Sequence, residues 1–220
     1  GQVSLSVALA SALCAAVIGT AIGLAAGYLG GWLDALLMRL VDSVIALPLL
    51  PLLIVMAAID PAKLGLEETA DASTFGLIRI IVIVSLVGWT TPARLVRGAT
   101  LAARAQGYVQ AARALGVPPL AIALRHILPN ISGPLIVATT LAMGQVILFE
   151  SALSFLGLGI QPPTASWGNM LTGAQEMIWQ APMLAVYPGL AIFLTVVSVN
   201  FVGDALQDAL SPRATEREGN

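Results

Sequence analysis

The sequence predicts an all-α fold, a polytopic transmembrane helix bundle with five spans, and three observations carry that prediction. Of the 220 residues, 58 % are hydrophobic and 10 % are charged, and the mean hydropathy is +0.91, far from the composition of soluble domains. The apolar residues fall into runs able to cross a hydrocarbon core of about 30 Å at roughly 1.5 Å per residue. Positive charge is concentrated: Arg94, Arg97, Arg104, Arg113 and Arg125, half of the ten Lys and Arg residues, share one stretch that contains no acid. Such a stretch marks the cytoplasmic side, which makes the placement of charge more informative than its net value of -2.

The first span runs from Val3 to Tyr28. Ala15, Gly19, Gly23 and Gly27 recur every fourth residue and make a seam along which another helix can approach closely, in the same chain or a partner. Cys14 is expected to be a packing residue, and Tyr28 and Trp32 flank Gly30-Gly31 at a membrane edge. No positive charge precedes this run, so a cleaved leader is a poor reading. Leu33 to Ile59 forms the second span, with Pro48 and Pro51 predicting a kink. Asp42 on its early part stands either at the inner mouth of a pathway or in an interfacial pair with Arg39.

The acidic segment from Asp60 to Thr74 reads as an external loop. A third span covers roughly Gly76 to Thr91, a fourth Gly133 to about Phe149, and a fifth Met183 to Val202. The external loop over residues 151–182 has no Lys or Arg. The count of crossings then agrees with the charge placement: residues 1–212 form the transmembrane domain, with residues 94–130 and the tail at 213–220 on the cytoplasmic side.

Five arginines at a bilayer centre would cost more than about 12 kcal/mol, so the 94–130 segment is expected outside the hydrocarbon. Gly107 to Leu115 suits a helix that Gly116 closes, and Pro118 and Pro119 suit the first turn of a second helix. Pro129 is expected to stop or bend that second helix.

Gln110-Ala111-Ala112, then Gly116, then Leu128-Pro129 resembles the cytoplasmic EAA loop of ABC importer permeases, whose pattern is Glu-Ala-Ala, three residues, Gly, nine residues, Ile, one residue, Leu-Pro. Gln110 occupies the Glu position and His126 the Ile position. The wider phrases Tyr108 to Gly116 and Arg125 to Asn130, with the block from Ala152 to Gly159, Gln161-Pro162-Pro163 and Ser166 to Leu171, resemble the dipeptide, oligopeptide and nickel branch. The likeness runs from about Val3 to Arg213.

That resemblance implies a sixth span ahead of this sequence in the full subunit, a second homologous permease, two ABC ATPase subunits that bind ATP and Mg, and an extracytoplasmic solute-binding protein, in a bacterial inner membrane. It also implies ATPase coupling through Tyr108, Gln110, Ala111, Ala112, Arg113, Leu115, Gly116, His126, Leu128 and Pro129. An interfacial helix whose arginines touch anionic lipid would explain the charges, but not the Gly, Pro-Pro and Leu-Pro punctuation.

Catalysis within the chain has little support. Lys63, the only lysine, lies between Ala62 and Leu64, outside any phosphate-binding loop. One histidine and one cysteine exclude the usual zinc sets, so neither a metal nor another cofactor is expected here, and no nucleic-acid partner. Asp42, Gln145, Glu150 and Asn200 are polar groups that line a pathway or pack between helices. A self-contained channel or secondary carrier, or a scaffold without transport, are the rival functions.

Overall fold

The computed structural model describes residues 1–59 and 72–210; the acidic stretch beginning at Asp60 and the tail at 213–220 lie largely or wholly outside them. The described chain is helical, in the order α1 (Gln2–Leu29), α2 (Gly31–Ile45), α3 (Leu49–Ala58), α4 (Ala72–Gly88), α5 (Thr90–Arg104), α6 (Gly107–Ala114), a short α7 (Pro119–Ala121), a π-helical turn (Ile122–Ile127), α8 (Leu128–Phe155), α9 (Trp167–Gln175) and α10 (Met183–Leu210).

Three continuous helices are long and apolar enough to cross a membrane: Gln2–Leu29, Pro119–Phe155 and Met183–Leu210. Two bent pairs make up the other spans, α2 with α3 at 84° and α4 with α5 at 42°. The first bend falls where proline requires it, since Pro48 caps α3 in an extended conformation and supplies no N–H to continue α2. At the second, the Trp89 indole donates to the Leu86 carbonyl at 2.8 Å and the Thr90 hydroxyl to the Val87 carbonyl at 3.2 Å, so side chains satisfy carbonyls that the break frees.

α1 is the spine, and α5 lies along its small-residue seam. A Cβ at Gly19 would fall 2.6 Å from the Trp89 carbonyl oxygen, one at Gly23 2.5 Å from that of Ala93, and one at Gly27 2.7 Å from Thr100 Cβ. The seam therefore serves this chain's own bundle. Cys14 departs from expectation: it is exposed on the outer side of α1.

Two larger clusters hold the helices together. Val7, Leu53, Ile80, Val84, Ile147 and Leu153 join α1, α3, α4 and α8. Toward the Leu29 end of α1, Leu24, Val96, Val109, Ala112, Ile122 and Ile127 join α1, α5, α6 and the π-helical turn. α10 packs less completely and leaves Tyr187, Phe193, Phe201 and Val202 outward, as a helix against acyl chains does.

Three boundaries differ from those the sequence suggests. The helix of the third span does not end near Thr91: after a bend at Trp89, α5 carries Arg94, Arg97 and Arg104 along α1. Pro129 neither stops nor sharply breaks its helix: the Leu128 N–H reaches back five residues to Ala123, and the widened turn leaves room for the proline ring. Helices α8 and α10 also outlast their apolar cores, reaching Phe155 and Leu210, while α9 occupies part of the 151–182 segment.

Candidate functional site

The basic elbow is built from α6, the turn after it and the start of the long helix. Gly116 has φ +76°; its N–H bonds to the Arg113 carbonyl, and that of Val117 to the Ala112 carbonyl, both at 3.1 Å. This pair of bonds closes α6 with a left-handed residue where a Cβ would be strained. Val109 and Ala112 point inward to the cluster around Leu24 and Ile127. Ala112 thus fastens α6 to the bundle and adds nothing to its exposed face.

The opposite face of α6 is open. Tyr108, Gln110, Ala111 and Arg113 are exposed, Leu115 is 84 % exposed, and Leu120 beyond the elbow is 70 % exposed. The Gln110 amide donates to the Ala105 carbonyl at 3.1 Å, a bond that a carboxylate at this position could not donate. Half-buried His126 gives its carbonyl to the Asn130 amide at 2.6 Å, and the exposed Pro129 gives its own to the Ser132 hydroxyl at 2.7 Å. Half-buried Leu128 packs on that same cluster. All three lie where the π-helical turn runs into the long helix.

Cationic side chains fasten the elbow to the bundle. The Tyr28 ring lies between the guanidinium groups of Arg104, 5.8 Å from its centroid, and Arg113, 5.9 Å away. Arg104 also donates to the Gly27 carbonyl at 2.9 Å. Arg97 makes a two-pronged bond to Asp34 at 2.5 and 2.7 Å, and Arg94 pairs with Asp42. Asp42 therefore meets Arg94, not Arg39. The sequence carried one signal for this: Asp34 and Asp42 stand two helical turns apart on a helix with few other charges.

Arg94 sits deeper than the sequence suggests. Ala93 beside it touches Gly19 and Gly23, some six to ten residues before α1 ends, or roughly 9–15 Å along the helix. Pairing with Asp42 resolves the electrostatic objection to that depth. Even so, the two side chains are 50 % and 57 % exposed, and each charge facing lipid would cost about 3 kcal/mol. Their exposed side thus belongs on a polar space or a protein partner.

A cavity of about 650 Å³ adjoins the pair, bordered by α1, α4, α8, the α2–α3 bend and the start of α5. Its wall is mostly apolar, with Ser11, Thr91, Thr139, Gln145 and Arg94 supplying polar groups. Gln145 is thereby placed on a cavity, while Asp42 reaches it only through Arg94. Exposed Asn200 faces α8, its Oδ1 3.2 Å from where a Gly144 Cβ would lie, which is a packing position.

Glu150 is fully buried near the C-terminal end of α8. Its Oε1 accepts a 2.8 Å bond from the Ser154 hydroxyl, whose oxygen accepts the Ile160 N–H at 3.0 Å. The relay ties the segment after α8 to the helix end. Ser154→Ala should strand both the carboxyl group and the N–H, each worth about 1–3 kcal/mol when buried unpaired. The apparent Tm in detergent should fall by roughly 2–4 °C for each kcal/mol lost, and an unchanged melting curve would contradict the relay.

Among the described residues, no three His, Cys, Asp or Glu side chains gather as a metal site requires. The described residues form a mostly apolar cavity, a close-packed seam and a rigid handle.

Known proteins share this plan. The inward facing MetNI methionine ABC transporter, in its CY5 native crystal form, has the same fold with a TM-score of 0.73 at 19 % identity, over 96 % of this chain and 94 % of that one. Glutathione transport system permease protein GsiD of Shigella flexneri serotype 5b (strain 8401) is 41 % identical over 180 residues, 82 % of this chain and 55 % of that protein. The GsiD of Escherichia coli O157:H7 is 42 % identical over the same shares. The chain spans about half the length of the curated relatives it matches. Residues 19–216 match the family model for the binding-protein-dependent transport system inner membrane component, and the chain belongs to that family of membrane transport permeases.

Proposed function

We propose that this chain forms one half of the translocation path of an ATP-driven bacterial importer for small peptides. The observation that carries the reading is the elbow: α6 buries Val109 and Ala112 in the bundle while presenting Tyr108, Ala111 and Leu115 outward. A helix so fastened on one side and open on the other transmits a push without bending. The partner on the open face is a separate ATPase, which holds the ATP and Mg; this chain acts without a cofactor.

A second, homologous permease completes the path, a second ATPase serves it, and an extracytoplasmic binding protein delivers cargo near residues 151–182. The complex resides in the inner membrane, with the elbow in the cytoplasm. Peptides are favoured over nickel because the GsiD relatives carry the name of glutathione transport permeases, and glutathione is a tripeptide. ATP hydrolysis in the partners moves α6, and the α1–α5 seam carries that movement into the spans.

Reconstitution of the permease pair, the ATPases and the binding protein in liposomes tests the reading. Uptake of glutathione or of a mixed di- and tripeptide pool is expected only when every subunit and ATP are present. Translocation by the isolated chain would favour a channel or carrier instead.

A further inference from the structure

We infer that Arg94 is a solute-binding group of the translocation path, receiving the carboxylate of an anionic peptide as it passes the cavity. The inference rests on the peptide-import reading above and names the group that recognises the cargo. Among the described residues, Arg94 is the one charged side chain on the wall of the 650 Å³ cavity. A volume of that size lies within the range of about 300–1,000 Å³ typical of small-molecule sites.

The wall suits such a cargo. Ala12, Ala15, Val84, Val87, Leu141 and Phe149 give it apolar surface for side chains, while Thr91, Thr139 and Gln145 offer hydrogen bonds to peptide groups. Every free peptide carries at least one carboxylate. A guanidinium binds a carboxylate through paired, charge-assisted bonds, and Arg94 makes one such bond to Asp42 through a single nitrogen, which leaves its other donors for a second acceptor. Arg97, by contrast, commits two nitrogens to both oxygens of Asp34 and is not on the cavity wall.

The two pairs therefore divide the work. Arg97–Asp34 fastens α5 to α2. Arg94–Asp42 is half open, and Asp42 lies off the wall, where it holds Arg94 without occupying the space in front of it.

The test uses the complete transporter with its binding protein in liposomes, with glutathione and a mixed di- and tripeptide pool as probes. Arg94→Gln should lower uptake at least about tenfold, the order expected when a charge-assisted contact is lost. Arg94→Lys should retain a measurable part of it. The exchange variant Arg94→Asp with Asp42→Arg keeps an ion pair but takes the cation off the wall, and it should remain as defective as Arg94→Gln. Binding-protein-stimulated ATP hydrolysis in the Arg94→Lys variant reports an assembled complex.

Restoration of uptake by the exchange variant would overturn the inference, because the pair would then be structural only. Equal uptake by Arg94→Gln and the unmodified chain would overturn it as well. Absence of ATP-dependent uptake by the unmodified assembly would instead overturn the transport reading on which it stands.

Discussion

Replacing Gly116 by proline, or deleting residues 107–116, is expected to abolish co-purification of the ATPase with the permease while leaving the spans in the membrane. The reason is local and steric. Gly116 holds φ at +76°, whereas proline is confined to about −65°. Proline would also remove the N–H that bonds the Arg113 carbonyl, and with it half of the closure of α6. The handle would then leave its seat over Val109 and Ala112, and the Tyr108–Leu115 face would no longer be presented at a fixed angle. Gly116→Ala should show a graded form of the defect, since an L-residue in the left-handed region costs roughly 1–2 kcal/mol. The measurement is ATPase-to-permease stoichiometry on a detergent gel, and unchanged stoichiometry in the proline and deletion variants would remove the elbow from the mechanism.

The second large effect should come from the seam. A side chain at Gly23 would begin 2.5 Å from the Ala93 carbonyl oxygen and 2.8 Å from Val96 Cβ. The first of these is backbone in a packed helix and cannot swing aside. Gly23→Leu should therefore force α1 from α5, with destabilisation at or above the top of the ~1–3 kcal/mol typical of overpacking. Loss of folded protein in detergent and a lowered melting temperature are the readouts. Gly98→Ala is the matched control: nothing lies within 4 Å of that Cβ position, and the exchange should be neutral or stabilise α5 by about 0.5–1 kcal/mol. A Gly23→Leu protein that melts with the unmodified chain would show that the helices are not in this contact.

These two sites were legible in the residues to different degrees. The four-residue recurrence of Gly19, Gly23 and Gly27 announces a close approach, and Gly116 before Val-Pro-Pro announces a turn; both follow from backbone chemistry that acts over a few residues. The partner of each was not legible. That α5 fills the seam, or that Ala112 is buried while Ala111 is free, depends on which way a helix faces once packed. Arg94 shows the limit most clearly. Counted alone, it is one of five arginines too costly to bury; paired with Asp42, fifty-two residues earlier, it stands half exposed on the cavity wall beside α1. Charge costs computed residue by residue fail when the neutralising acid arrives from another helix.

By itself, the sequence determined the class of the molecule, the apolar runs that supply its crossings and the places where Pro48 and Gly116 turn the chain. Those features are settled by hydropathy, by the exclusion of unpaired charge from lipid and by the limits on φ, all of which act locally. Only the tertiary structure decided which helix lies against α1, which acid answers each arginine and which face of α6 stays open. Such choices rest on contacts among segments remote in the chain, whose energies depend on geometry that no single segment contains.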